Sequence, residues 1–105
     1  MQTSYTYQLT PSVSGELDAI LAYISGNLHA SDSAIALLDA ITEALELACA
    51  FPESNPLITD PLLAMRGYRR IVVGNYIIIY TIDNSKSVLP VVRIVYGAMD
   101  YLKDL

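Results

Sequence analysis

Arg69-Arg70-Ile71-Val72-Val73-Gly74-Asn75-Tyr76-Ile77-Ile78-Ile79-Tyr80 sets two runs of β-branched and aromatic residues on either side of a Gly-Asn pair. Such runs favour extended backbone, and a two-residue glycine-containing loop between them marks a hairpin. The expected strands are 68–73 and 76–83, with a third over 88–96 after the turn at Asp83-Asn84-Ser85-Lys86. Ile77, Ile78 and Ile79 are apolar at consecutive positions, so both faces of the middle strand should be covered. Arg69 and Arg70 must point to opposite faces of a regular strand. Pro90 cannot donate a ladder hydrogen bond and belongs at an edge, a bulge or a strand start.

Upstream of the hairpin, Pro52, Pro56 and Pro61 exclude regular structure over 52–61. Before them lie two helical patterns. The first opens with Thr10 as N-cap and Pro11 at the first helical position, and aligns Leu17, Ile20, Leu21, Ile24 and Leu28 in one stripe. Gly26-Asn27 ends it, and Ser31 or Asp32 can cap the second. That helix runs to about Ala50 with Ala34, Leu37, Leu38, Ile41, Leu45 and Ala48 on its apolar face. Asp39, Glu43 and Glu46 fall on the other side, as expected of a solvated stripe. Tyr5-Thr6-Tyr7-Gln8-Leu9 alternates as a short strand does. The order is β-α-α-β-β-β: one α+β domain over 1–105, a helical hairpin packed on an antiparallel sheet.

The net charge of −5 conceals a division. Residues 1–65 hold eight carboxylates and no Lys or Arg, whereas 66–105 hold six cations against three carboxylates. A field of that shape repels nucleic acid over one half, and phosphate binding needs more cations than the other half offers, so direct high-affinity nucleic-acid binding is not expected. Hydrophobic residues make up 53% and mean hydropathy is +0.41, which fits either an apolar surface patch for a protein partner or an unusually aliphatic core. The single cysteine, Cys49, excludes an internal disulfide. No signal-peptide pattern opens the chain, and no apolar run approaches the roughly 20 residues of a membrane span. The expected location is cytoplasmic, with no membrane contact.

Three segments together resemble the RelE/ParE family of bacterial toxins: Gly67-Tyr68-Arg69-Arg70; Gly74-Asn75-Tyr76 with Tyr80; and Arg93-Ile94-Val95-Tyr96-Gly97 with Asp100-Tyr101. The helical hairpin and Phe51-Pro52-Glu53-Ser54 fit the same pattern. The resemblance covers most of the chain and implies the same β-α-α-β-β-β order. It implies the toxin of a type II toxin–antitoxin (plasmid stabilisation) module, which arrests growth and is neutralised by a cognate antitoxin. RelE-like members cleave mRNA in the ribosome; ParE-like members inhibit DNA gyrase.

Cleavage by 2′-hydroxyl attack needs a proton acceptor, a proton donor and cations where charge builds on the phosphate. RelE-like nucleases carry arginines at positions that match Ile77 and Met99 here, and related members place a histidine near Tyr96. These departures favour the ParE-like activity, with Arg66, Arg69, Arg70, Arg93, Tyr96, Met99 and Tyr101 as the target-binding surface. The alternatives are a ribosome-dependent endoribonuclease using Arg69, Arg70, Arg93 and Tyr96, or a non-toxic member that only binds antitoxin. Arg69 matches a basic position that holds RNA in RelE-like toxins. The competing account of all these arginines is pairing with carboxylates of the antitoxin or the helical hairpin. Strand tyrosines at 68, 76, 80, 96 and 101 more often pack their rings than stack on bases. His29 is expected in an exposed turn. No Cys/His cluster points to a metal and no glycine-rich loop to a nucleotide, so no cofactor is expected. An antitoxin would occupy an apolar groove along the helical hairpin and sheet edge. A homodimer or a toxin–antitoxin hetero-oligomer is left open.

Overall fold

The computed structural model describes residues 4–97. Chain order is β1 (Thr6–Leu9), α1 (Pro11–Ala22), a π-helical turn (Tyr23–Asn27), α2 (Ser31–Ala50), α3 (Pro61–Met65), β2 (Arg69–Val73), β3 (Tyr76–Tyr80) and β4 (Val88–Tyr96). The four strands lie in the order β1-β4-β3-β2. β2, β3 and β4 form the antiparallel meander expected from the hairpin and the turn after it. β1 joins β4 in parallel. The helices carry the chain from β1 to β2 at the opposite edge, and the meander brings it back to β4 beside β1.

Local chemistry explains the element ends. Thr10 caps α1 by accepting from the Val13 N–H at 3.4 Å, with Pro11 in the first turn. α1 then passes into the π-helical turn where Gly26-Asn27 was expected to end the helix. The wider turn shifts the helical phase, so Ile24 stays buried while Leu28, expected in the same stripe, is 54% exposed. Val13, outside the expected stripe, is fully buried near the start of α1. Neither Ser31 nor Asp32 caps α2; both are its first residues, and Ala30 stands at the cap without a side-chain hydrogen bond. Between β2 and β3 only Gly74 takes a positive φ (+57°), as in a type II′ turn, in which glycine occupies the first central position. β3 ends at Tyr80 rather than 83. Ile79 pairs with Arg93 but Tyr80 with Val91, so Val92 is an extra residue on β4 and the register breaks there. Pro90 sits just before that bulge, near the start of β4.

The sheet has two unlike faces. Ile71, Ile78, Tyr80, Leu89, Val91 and Ile94 meet Val13, Leu17, Ile41, Leu45 and Ala48 of the helices in the main core. On the other side Ile77 and Ile79 meet Ile58 and Leu63, with Tyr68 and Val92 packed beside them. Ile77, Ile78 and Ile79 are thus buried on both faces, as their sequence requires. The cover of the second face comes from the proline-rich connection. Asp60 accepts from the Leu62 and Leu63 N–H groups (3.0 and 3.1 Å) and starts α3, a helix that the proline spacing did not announce. The same connection pairs along the outer edge of β2, where Ile58 N–H donates to Tyr68 O (2.9 Å) and Arg70 N–H to Pro56 O (3.1 Å). That pairing covers an edge that would otherwise present open ladder groups.

Candidate functional site

Arg69 and Arg70 leave β2 on opposite faces, as strand alternation demands, and meet different fates. Arg69 turns to the helix-bearing side, opposite Tyr80 in the ladder. Its Nη1 donates to Asn55 O (2.6 Å) and Glu53 O (3.3 Å), and Nη2 lies 4.0 Å from the Glu53 carboxylate. Tyr80, fully buried, donates its hydroxyl to Pro52 O (2.7 Å) and accepts from Asn55 Nδ2 (3.2 Å). Together the two side chains pin the chain leaving α2 against the sheet. Burial pushes the Tyr80 hydroxyl above its ordinary range, partly offset by the Asn55 hydrogen bond and the Arg69 charge.

Arg93 is also engaged. Its Nε donates to Glu16 Oε2 at 2.8 Å, and Glu16 Oε1 accepts from the Ile94 N–H at 3.1 Å. β1 pairs with β4 only as far as Val91, so beyond that point the edge of β4 is open to α1. Glu16 closes it with one carboxylate that serves a backbone donor and a guanidinium together. Nothing in the sequence singled out Glu16, Asn55 or Tyr80 for these roles. Glu16 read as one of eight acids, and its partner lies 77 residues away.

Arg70 projects from the second face, beside Ile79 and across from the Arg93 register position. Its side chain makes no hydrogen bond or ion pair to any described residue, and its Nε is shut off from solvent. Arg66 follows α3, over the same face, and is exposed. Tyr96 pairs with Tyr76 at the far end of the β3–β4 ladder, on the helix-bearing side. Their rings meet edge to face at 5.7 Å. Strand alternation therefore sets Arg70 on one face and Arg69 and Tyr96 on the other. Met99 and Tyr101 lie outside the described residues. Ile77 is confirmed on β3, buried under the hairpin end. Gly97 beside it is held close: a side chain there would meet Asn75 O at 3.2 Å and Ile77 at 3.3 Å.

One concave feature lies between the helices. It is a cleft of about 290 Å³ lined by Leu21, Ala22, Ser25, Ser31, Ala34, Ile35 and Leu38. Ile35 is 59% exposed and Leu38 38%, although Leu38 was expected to be buried. By helical spacing, Asp18 and Asp39 follow one turn along at the end away from the inter-helix loop, and Asp32 stands at the other end. The Cys49 thiol is pushed up by burial and by Glu46, which disfavours the nucleophilic thiolate. Among the described residues no cluster of His, Cys, Asp or Glu could hold a metal ion, and no helix is long and apolar enough to cross a membrane.

Solved structures share this architecture. A chain from the toxin–antitoxin complex RelBE2 of Mycobacterium tuberculosis superposes with a TM-score of 0.63 at 18% identity, covering 90% of this chain and 99% of that one. A chain of the chromosomal ParDE toxin–antitoxin system of P. aeruginosa superposes with a TM-score of 0.70 at 14% identity, over 89% and 96%. Identities this low show a shared fold, that of RelE/ParE-type toxins. No relative is found among curated protein sequences. Residues 7–101 match the family described as the ParE toxin of the type II toxin–antitoxin system parDE. The chain belongs to that family and is the toxin component of a type II toxin–antitoxin pair.

Proposed function

We propose that this toxin arrests growth by binding DNA gyrase rather than by cleaving RNA, and that a cognate antitoxin silences it by occupying the cleft between α1 and α2. The observation that carries the first half is how the arginines are spent. Arg69 is tied to loop carbonyls and Arg93 to Glu16, while Tyr96 lies on the face opposite Arg70. A nuclease needs acid, base and cations around one phosphate, whereas a binding protein needs only a complementary surface. Support for the antitoxin site comes from exposed Ile35 and Leu38 in a cleft lined mostly by apolar residues, which suits the apolar face of an amphipathic segment.

Induction of the toxin alone, with DNA, RNA and protein synthesis pulse-labelled in parallel, tests the target. DNA synthesis should stop first. If protein synthesis stops first, the ribosome-dependent endoribonuclease takes its place, and cuts within translated codons should be lost in Arg69→Ala. Ile35→Asp should release the toxin from a co-expressed antitoxin while leaving growth arrest intact. Neutralisation of that variant would move the antitoxin elsewhere.

A further inference from the structure

We propose that the sheet face opposite the helices docks an acidic protein segment, which sets a carboxylate on Arg70 between apolar side chains. The inference deepens the binding reading above by naming the chemistry of the partner. On this face Arg70 stands on β2 two residues from Val72, which is 63% exposed, and beside Ile79 of β3. The Arg70 Nε is closed to solvent and has no partner among the described residues. A buried donor of that kind costs free energy until an acceptor arrives. A carboxylate fits the guanidinium fork in bidentate fashion, and reorientation of the fork onto it gives Nε the acceptor it lacks.

The choice between a carboxylate and a nucleic-acid phosphate follows from the neighbours. A nucleic-acid backbone is held by a series of cations, but Arg69 lies on the other face and the Arg93 Nε is bound to Glu16. Arg66, at the end of α3, is exposed, and no hydrogen bond or ion pair among the described residues brings it to Arg70. Exposed Val72 and half-buried Tyr68 offer apolar contact, which a protein segment uses and a phosphate backbone does not. One charge set in an apolar surface is the pattern of a protein interface anchor, in which arginine is enriched.

The test is a nuclear magnetic resonance titration of the full ¹⁵N-labelled chain with an acetylated valine–glutamate–valine peptide. Its glutamine counterpart and a uridine decamer serve as competing probes. The Arg70 Nε–H and the Val72 amide should shift with the glutamate peptide. Affinity should fall by about tenfold or more with the glutamine peptide and with Arg70→Gln, the loss of one charge-assisted pair. Val72→Asp, which leaves Arg70 in place, should weaken the same titration by repulsion. No shift at either position with the glutamate peptide overturns the proposal, as does tighter binding of the uridine decamer at the same resonances. The pulse-labelling experiment stays independent. Early arrest of protein synthesis would remove the gyrase reading and leave the peptide result standing, whereas arrest of DNA synthesis with a silent titration would do the reverse.

Discussion

The two faces of the sheet are built from the same strands and finished differently. On one side two helices of 12 and 20 residues bury a core that runs from Val13 to Ile94. On the other the cover is Ile58, Leu63 and the connection that carries them, with Val72 and Arg70 left at its margin. The adjacent pair Arg69 and Arg70 condenses the contrast. One guanidinium is held by backbone carbonyls, and the other has no partner among the described residues. A face sealed by its own side chains serves stability, whereas a thinly covered one keeps groups available for something else.

The contrast is tested most severely at Ile78 and Ile79, both fully buried and one residue apart on opposite faces. Ile→Ala replacements in cores cost about 2–5 kcal/mol, depending on how far the surroundings collapse. Ile78→Ala should fall at the upper end, because the helices cannot close the space. Ile79→Ala should fall at the lower end, because the connection can settle. Urea unfolding measures both, and equal losses would mean the second face is packed as firmly as the first.

The arginine pair gives the next effect. Arg69→Ala should cost about 1–3 kcal/mol, since the part-buried Asn55 carbonyl and the exposed Glu53 carbonyl lose their charged donor. Arg70→Gln should stay within about 0.5 kcal/mol, as expected where no partner is lost. A destabilising Arg70→Gln would show that its side chain holds the fold, and a neutral Arg69→Ala would remove the pin from the connection.

The smallest expected effect is on pH dependence. Because burial raises the Tyr80 pKa above its ordinary 10.0, the unfolded chain releases that proton first as pH rises. The stability Tyr80 contributes is complete below pH 10.0 and is lost as pH rises through the folded-state value. Tyr80→Phe should flatten that alkaline limb, while losing about 1 kcal/mol at neutral pH with its two hydrogen bonds. An unchanged alkaline limb would assign it to other groups.

The residues that announced themselves did so through local rules. Gly74-Asn75 marked its hairpin because a two-residue loop between twisted strands needs a positive φ. Thr10-Pro11 marked the start of α1, and Ile77-Ile78-Ile79 marked a strand with no solvated face. The opposed directions of Arg69 and Arg70 followed from alternation alone. The segment 52–61 was legible only as irregular. Its prolines say where ladders and helices cannot run, and nothing about Asp60 starting α3 or Pro56–Ile58 lying along β2.

By itself the sequence determined the β-α-α-β-β-β order, the acidic helical half and the family signature, because each is written in neighbours a few residues apart. Tertiary structure decided what each charged group does. Glu16 reaches Arg93 across 77 positions and Arg69 reaches Asn55 across 14, and both contacts exist only once the chain has closed on itself. Hydrogen bonds and ion pairs act over a few ångströms of space. A sequence fixes which groups are present, and the fold fixes which of them come that close.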